Sequence, residues 1–312
     1  MKPPASPRPG GYVDLQVNGY AGVDFNQDDL PEDEFFRACA RLEGDGVTAF
    51  LPTIITAPLD RMCGRLARLA ALREQDERAR RLIPGFHIEG PFLNPAEGYR
   101  GAHPLEAIRP AGREEMDRLL EAAGGLTRIV TLAPECDPHL SVTRYLSDLG
   151  ITVSAGHCDP TLAELDAAID AGLSMFTHLG NGCPMLLHRH DNILQRVLSR
   201  ADRLWICFIA DGVNIPRPAL ENYLRMAGDR AVVVSDAMAA AGLGPGRDRL
   251  GHWEVEVGED LAAWAPDRSH LGGASMSLRQ MDERLDTLCD LSAQRRHALV
   301  CENPAWAIRL TS

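Results

Sequence analysis

The chain has 312 residues, of which 45% are hydrophobic, and its formal net charge is −12 with a sequence pI near 5.3. This length and composition suffice for one large α/β domain or two ordinary ones. The acidic balance argues against a nucleic-acid partner, because phosphate binding needs clustered Lys and Arg. No window offers the roughly 18 consecutive apolar residues of a membrane span, so no membrane partner is expected.

The first ten residues, MKPPASPRPG, contain no apolar segment of the kind that secretory signals carry. We interpret residues 1–10 as a disordered tail before a single domain over residues 11–312. The eight cysteines form no CxxC pair and show no tight spacing, a pattern typical of reduced thiols. These features together predict a cytoplasmic protein.

Short apolar runs rich in Val, Ile, Leu and Phe alternate with helical patterns along the chain. Such runs are typical of parallel strands that are buried on both faces. We predict eight strands, at residues 12–17, 47–55, 82–88, 128–132, 151–155, 173–177, 204–209 and 231–235.

Most connections between these strands carry helix signals. Thr161 is followed by Glu164 at the spacing of a capping box, and a helix over 218–226 would begin after a proline and end at Gly228. Eight strands with intervening helices predict a closed (β/α)₈ barrel. The alternative, an open doubly wound sheet, usually has GxGxxG after its first strand, whereas this chain has VNGYAGVDF.

The chain beyond the eighth strand is expected to be mostly loop until a closing helix. It contains a glycine-rich loop at 241–246, a strand-like piece at 252–257 and the segment HLGGAS, which we interpret as a loop. The closing helix is predicted from about Ser277.

Polar side chains stand where the predicted strands end. Barrel enzymes place their active sites at these carboxyl ends. A single histidine there is more often structural, but several convergent nitrogen and oxygen donors on one rim predict a catalytic site of the zinc type. The residues concerned are Gln16, Asn18, Glu89, Glu135, His157, His178, Asp211 and Asp236.

Eight motifs over residues 11–308 support a more specific interpretation. They are, in order, DLQVNGYAGVDFN, HIEGPFLNPAEGYRGAH, TLAPE, SAGHCDPT, THLGNGCP, ADGVN, SDAMAAAG and LGGASMSL. As a set they resemble the N-acetylglucosamine-6-phosphate deacetylase family of the amidohydrolase superfamily. No single motif would be sufficient; HIEGPF followed by SAGH, THL and SDA is specific only as a set.

The resemblance implies a role for particular residues. Glu89, His157 and His178 match the family's metal ligands, Asp236 its catalytic acid/base, and His103 the residue that helps to polarise the acetyl carbonyl. Further substrate contacts are implied for Ala102, Asn181, Gly182, Arg189 as the phosphate-binding arginine, and the loop residues Leu271, Gly272 and Gly273.

The implied chemistry suits these residue types. Two neutral histidines and a carboxylate leave a coordination position for water on a divalent ion, for which zinc is expected and iron, manganese or cobalt are alternatives. The ion would acidify that water and polarise the carbonyl, and Asp236 would move the proton from water to the leaving amine. Acetate and a free amino sugar would result. The resemblance also implies a homodimer.

Three departures from the family pattern alter these expectations. Gln16 and Asn18 stand where many superfamily members have His-x-His, which predicts one metal ion instead of two. Asn214 stands where the family has a histidine that reaches the substrate phosphate; it can offer only a neutral hydrogen bond, and Asp211 is expected to orient its loop. The family's small β-sandwich is expected to be absent, because the barrel begins near residue 11 and the sequence stops at CENPAWAIRLTS.

Other interpretations remain open at this point. The same centre could cleave a different N-acyl or cyclic amide without phosphate, or the chain could be a non-catalytic relative. His87, two residues before Glu89, and Glu135 are interpreted as supporting residues and not as ligands. Cys158 and Cys183, which lie beside presumed ligands, are interpreted as buried packing residues.

Overall fold

A computed structural model of the chain describes residues 10–250, 253–264 and 271–310. Its strands are β1 (Tyr12–Val17), β2 (Gly19–Tyr20), β3 (Val23–Asp24), β4 (Val47–Ile55), β5 (Phe86–Glu89), β6 (Thr127–Leu132), β7 (Thr152–Ala155), β8 (Leu173–Phe176), β9 (Trp205–Ile209), β10 (Ala231–Val234), β11 (Gly246–Leu250), β12 (Trp253–Val257), β13 (Ala262–Trp264) and β14 (Leu271–Ala274). The predicted tail at residues 1–10 falls almost wholly outside the described residues.

Helices follow most of these strands. The α-helices are α1 (Glu32–Gly44), α2 (Leu59–Gln75), α3 (Glu77–Leu82), α4 (Arg113–Ala122), α5 (Ser141–Asp148), α6 (Leu162–Asp170), α7 (Ile193–Leu198), α8 (Arg217–Ala227), α9 (Leu278–Cys289), α10 (Ala293–His297) and α11 (Asn303–Ala307). In the described parts of the chain, no helix combines the length and the apolar character needed to cross a membrane.

Eight parallel strands form one sheet in the order β1-β4-β5-β6-β7-β8-β9-β10. Helices lie between successive strands, and β1 meets the segment that follows β10 through a parallel bridge between Val17 and Ala237. The predicted (β/α)₈ barrel is therefore confirmed. Because all eight strands are parallel, their carboxyl ends lie on one rim.

Most element bounds agree with the sequence-based prediction. β1 and β4 match residue for residue, and Thr161 caps α6 with the expected reciprocal bonds to Glu164. The prediction of a strand over 82–88 was wrong at its start, because Leu82 ends helix α3. Asp76 caps that helix by accepting the Ala79 N–H, and the strand begins only at Phe86.

Side chains complete the contact between β1 and β10. The Asp14 carboxylate accepts the Ser235 N–H at 3.1 Å, and the Ser235 hydroxyl donates to the Gln16 carbonyl at 3.3 Å. Beyond the strands, the Asn18 N–H donates to the Ala237 carbonyl at 2.8 Å. This contact between β1 and β10 is the barrel seam. It holds the rim segments of Asn18 and Asp236 in register with each other.

Apolar side chains fill the lower half of the barrel, as expected for a packed (β/α)₈ interior. The layer comprises Val13, Leu15, Ala49, Leu51, Ile129, Met175, Cys207, Val232 and Val234. Ala307 and Ile308 pack against it from below. Asn303 donates to the Ala231 carbonyl at 2.7 Å, and the Thr152 hydroxyl donates to the Ala307 carbonyl at 3.3 Å. The amino ends of the strands are thus closed by α11, which leaves the opposite rim for a site.

A four-stranded antiparallel sheet, β11–β14, stands between β10 and α9. Interpreting HLGGAS as a loop was therefore wrong, because Leu271–Ala274 is strand β14. His252, the predicted start of the strand-like piece, lies outside the described residues, and β12 begins at Trp253. The Met238 N–H donates to the Ala274 carbonyl at 2.9 Å, which joins this sheet to the barrel beside Asp236.

Asp14 makes the stability of the barrel seam dependent on pH. Burial raises the pKa of this carboxyl from 3.8 to about 6, although hydrogen bonds from Ser235 and Gln16 oppose the shift. Between these two values the folded state binds more protons than the unfolded state, so stability falls as pH rises through the interval. Asp14→Asn keeps an acceptor oxygen but removes the charge.

We therefore expect Asp14→Asn to gain stability relative to wild type by up to about 3 kcal/mol between pH 4 and pH 7, since one pKa unit corresponds to about 1.4 kcal/mol. Urea unfolding of both proteins at the two pH values measures this difference. Asp202→Asn, at an exposed position, is the control and should show no such growth. A constant difference for Asp14→Asn would contradict the prediction.

Candidate metal centre and active site

The predicted ligands and the predicted proton carrier stand at successive points on the carboxyl rim. Glu89 is the last residue of β5, whereas His157, His178 and Asp236 each lie two residues beyond their strand. These three have left-handed backbone conformations, with φ of 51°, 33° and 48°. Non-glycine residues rarely adopt such angles, and those that do cluster at functional sites. The left-handed turn directs each side chain across the rim.

Glu89, His157 and His178 come together as the sequence analysis predicted. Glu89 Oε1 lies 3.0 Å from His178 Nε2 and 3.4 Å from His157 Nε2. One ligand atom from each of the three lies within 4.8 Å of the others, and all three residues are buried. Among the described residues this is the one group of three or more such side chains placed to hold a metal ion.

The charges within this cluster are mutually dependent. Burial alone would raise the pKa of Glu89, but hydrogen bonds from His157 and His178 hold it well below its usual value. Burial would lower the pKa of His178, but the Glu89 carboxylate raises it to about 9. A positive charge is therefore stabilised beside Glu89. A divalent cation supplies such a charge, and its binding would release the proton.

The orientation of His157 is set by backbone groups around its ring. Its Nδ1 donates to the Tyr99 carbonyl at 2.8 Å, which leaves Nε2 facing Glu89. Fixing a ligand histidine through its other nitrogen is a common feature of metal sites. Gly101 and Gly182 lie against the ring, and a Cβ on Gly182 would come within 2.8 Å of Nδ1. Glycine is required at Gly182 both for this close approach and for its φ of 66°.

Gln16 and Asn18 use their amide groups as donors to carboxylates. Gln16 Nε2 donates to Glu89 Oε2 at 3.1 Å, and Asn18 Nδ2 donates to Asp236 Oδ1 at 2.7 Å. The two amides thereby fix the orientation of one candidate ligand and of the candidate proton carrier.

Asp236 has the properties of a group that exchanges protons near neutrality. Burial raises its pKa to about 7, the positive charge of His178 opposes the shift, and the negative charge of Glu89 adds to it. Asn18 occupies Oδ1, so Oδ2 is the oxygen that can take up a proton. An acid/base near the working pH can both accept and return a proton efficiently.

His87 has both ring nitrogens engaged away from the cluster. Nδ1 donates to the Leu15 carbonyl at 3.0 Å, and Nε2 lies 2.7 Å from the Thr131 hydroxyl. The contacts continue through Thr177 to Ser154, forming a layer of hydroxyl groups across the barrel beneath the ligands. Burial lowers the pKa of His87 to about 4, so the ring is neutral. The interpretation of His87 as a supporting residue is confirmed.

His103 lies against the ligand cluster, on the loop that also contains Tyr99. Its Nε2 is 3.3 Å from His157 Nε2, and the two rings meet edge to face. Burial, assisted by the charge of His157, lowers the pKa of His103 to about 3. The neutral ring can donate one hydrogen bond. Ala102, its neighbour, is exposed.

Asn181 and Asn214 contact each other, and Asp211 holds Asn214 in place. Asn181 Nδ2 donates to Asn214 Oδ1 at 3.2 Å. The Asp211 carboxylate accepts the N–H groups of Val213 and Asn214 at 2.9 and 2.7 Å, and Asn214 Nδ2 at 2.6 Å. The expectation that Asp211 orients this loop is confirmed. The Asn214 side chain is thus hydrogen-bonded to Asn181 and Asp211 of the same chain.

The remaining predicted substrate residues lie on two segments of the same rim. Arg189 is exposed on the loop between β8 and α7, and in the part of the chain that the structure describes no carboxylate pairs with it. Leu271, Gly272 and Gly273 belong to β14, and a Cβ on Gly273 would meet the Met238 sulfur at 2.9 Å. All of these substrate roles stay predictions.

Sequence reasoning missed several groups that shape the site. The Tyr99 carbonyl and the backbone N–H of Asn94, which donates to the His157 carbonyl at 3.0 Å, act through the main chain and have no side-chain signature. The hydroxyl layer of Thr131, Ser154 and Thr177 could have been suspected, because polar residues within predicted barrel strands must find partners.

Comparison with known proteins agrees with this geometry. A dihydroorotase shares the fold with a TM-score of 0.50 and 15% identity, covering 97% of this chain and 74% of its own. The barrel and its buried Glu/His/His cluster therefore define a (β/α)₈ protein with a candidate metal centre on its carboxyl rim. No family model matches the chain.

Closer relatives identify the family. An N-acetylgalactosamine-6-phosphate deacetylase of Escherichia coli O157:H7 is 32% identical over 96% of this chain and 75% of its own length. An N-acetylglucosamine-6-phosphate deacetylase of Bos taurus is 36% identical over 85% of this chain. The Mycobacterium smegmatis N-acetyl-D-glucosamine-6-phosphate deacetylase superimposes with a TM-score of 0.85 at 28% identity, covering 97% of this chain and 77% of that one. The chain belongs to the family of these N-acetylhexosamine-6-phosphate deacetylases. It spans 65% of the length of the Bos taurus relative.

The amide donors at Gln16 and Asn18 predict one divalent ion per chain. After zinc loading and dialysis, elemental analysis should find about one ion in the wild type and none above background in His178→Ala, which removes a ligand. His297→Ala is the control, because His297 lies on α10 and is not part of the Glu/His/His cluster; this variant should retain its ion. Two ions per wild-type chain would contradict the prediction.

Proposed function

We propose that this chain is a metal-dependent deacetylase that hydrolyses the N-acetyl amide of an amino sugar 6-phosphate to acetate and the free amino sugar. The observation that carries the proposal is the buried cluster of Glu89, His157 and His178 with Asp236 on the same rim. Membership of the deacetylase family supports it, and so does the mycobacterial relative, a mutant of which was solved in complex with N-acetyl-D-glucosamine-6-phosphate.

The three ligand residues fit a catalytic metal ion. Two imidazole nitrogens and one carboxylate are the donor set of many mononuclear hydrolases, and Zn²⁺ is the ion that we propose. When bound, the ion supplies Lewis acidity, which polarises the acetyl carbonyl and acidifies the attacking water. The wall of the site is buried, so this electrostatic effect is less weakened by solvent.

The chain's own residues carry the proton steps. Asp236 accepts a proton from water through Oδ2 as the water oxygen bonds to the acetyl carbon, while Asn18 holds the other carboxylate oxygen in place. Asp236 then delivers that proton to the amide nitrogen as the C–N bond breaks. His103, as a neutral ring, donates a hydrogen bond to the carbonyl oxygen, on which negative charge develops.

The 6-phosphate would be recognised by Arg189, whose guanidinium can bind phosphate oxygens in pairs. Asn214 replaces the family histidine and is bonded to Asp211 and Asn181, so it contributes at most a neutral contact. Both glucosamine and galactosamine derivatives remain candidate substrates, because relatives with each specificity are similarly close. A homodimer and a cytoplasmic location complete the proposal.

Acetate release tests the reaction and the role of Asp236. With N-acetylglucosamine 6-phosphate and zinc, the wild type should release acetate, and Asp236→Asn should lower kcat by about 10²–10⁴-fold because asparagine cannot accept the proton. Metal content should be unchanged in the variant. Asp202→Asn, at an exposed position, is the control and should leave kcat unchanged. Near wild-type turnover by Asp236→Asn would assign Asp236 a structural role.

Paired phosphorylated and unphosphorylated substrates test the phosphate site. Arg189→Ala should lower kcat/KM for the phosphorylated sugar by about tenfold or more, since hydrogen bonds to charged groups are worth about 1.5–3 kcal/mol, and should leave the plain sugar almost unaffected. Arg279→Ala on α9 is the surface control. Asn214→His should sharpen the preference for phosphate. Equal turnover of both sugars, unchanged by either substitution, would favour an amidohydrolase acting on a different N-acyl or cyclic amide.

A further inference from the structure

Glu135 lies in the loop after β6, beside the segment that contains His157, and no step of the proposed reaction uses it. Its Oε1 accepts the Asp159 N–H at 2.5 Å and Asn94 Nδ2 at 2.9 Å. Burial raises the pKa of this carboxyl, although both bonds oppose the shift. Removing a carboxylate from water is costly unless hydrogen bonds replace those lost to water, and the two donors to Oε1 provide such bonds.

Asn94 links Glu135 to the backbone of His157. Its N–H donates to the His157 carbonyl at 3.0 Å, and its side-chain oxygen accepts the Ala96 N–H at 2.9 Å. Every polar group on the Asn94 side chain is therefore engaged. The backbone around His157 is held at two points, at its own carbonyl by Asn94 and at the N–H of Asp159 by Glu135. Both points lie directly after the left-handed conformation of His157, whose φ is 51°, so they restrain the chain as it leaves that turn.

We propose that Glu135, acting with Asn94, is a positioning residue for the metal centre: the pair holds the left-handed turn at His157 so that Nε2 faces Glu89 and His178. The Tyr99 carbonyl fixes the rotation of the ring, whereas Glu135 and Asn94 fix the backbone from which the ring projects. Without them the backbone at His157 can relax toward an ordinary conformation, and the ring then leaves the cluster. This inference rests on the proposed metal centre.

The same loop provides a matched control. Asp137, two residues beyond Glu135, is buried and also accepts backbone N–H groups, those of Val142 at 3.1 Å and Thr143 at 2.7 Å. These bonds hold the start of α5 and not the His157 segment. Loss of Asp137 should therefore reduce stability by a similar mechanism without changing the position of a ligand.

Zinc affinity, measured by competition with a chelator and without any sugar, tests the proposal. Glu135→Ala should bind Zn²⁺ about 10–100-fold more weakly than wild type, the range found when residues that orient metal ligands are removed. Glu135→Gln should recover most of the affinity, because the amide oxygen can accept the same two N–H groups. Asp137→Ala should lower the Tm of the metal-free protein and keep its zinc affinity within about twofold of wild type.

If Glu135→Ala does not fold, Asn94→Ala replaces it, since that change removes the bond to Glu135 but keeps the N–H to His157. It should weaken zinc binding by about threefold or more. Wild-type affinity in both Glu135→Ala and Asn94→Ala, or an equal loss in Asp137→Ala, would overturn the proposal. A wild-type protein that binds no zinc would overturn the metal centre itself, and the two failures are therefore distinguishable.

Discussion

The burial of the Glu89 carboxylate is the constraint on which the rest of the site depends. Its side chain is 3% exposed, and a charge so far from water must be matched by donors and by positive charge. His157, His178 and Gln16 meet that need, each from a different strand end. These three side chains all point donors at the Glu89 carboxylate, and the arrangement favours a cation at the point where the two imidazoles converge.

The second requirement is backbone strain at the rim. His157, His178 and Asp236 adopt left-handed conformations, each costing on the order of 1–3 kcal/mol. Such strain persists only where surrounding bonds determine the conformation. At Asp236 the seam bonds from Asp14 through Ser235 fix the approach of the chain, and at His157 Asn94 and Glu135 act on the turn. The barrel seam and the loops therefore serve the site as much as they serve the fold.

The sequence predicted the barrel well because its buried strands leave a strong apolar pattern. The run at 47–55 matches β4 in full, since both faces of that strand are covered. Glu89, His157, His178 and Asp236 were predicted as site residues because they end such runs and fit a family pattern. β14 escaped recognition because a strand of Leu-Gly-Gly-Ala carries too few side chains to show a period of two.

The contacts of Tyr99 and Asn94 could not be predicted for a different reason. Each acts on His157 through a main-chain group, and the identity of a side chain says little about where its own carbonyl or N–H will point. Loop geometry fixes such contacts, and it is known only after the strands have been assembled. The prediction that 82–88 forms one strand was wrong for another reason, because the helix that the Asp76 side chain caps extends through Leu82.

The closure of the barrel floor by α11 has a consequence for biosynthesis. Asn303 and Ala307 contact the amino ends of β10 and β7, and Ile308 belongs to the cluster of apolar side chains inside the barrel. These residues are synthesised after all eight barrel strands. On the ribosome, where folding proceeds as the chain emerges, the apolar interior of the nascent barrel is exposed at the amino ends of its strands until α11 has emerged. Apolar surface exposed during that interval is prone to aggregation.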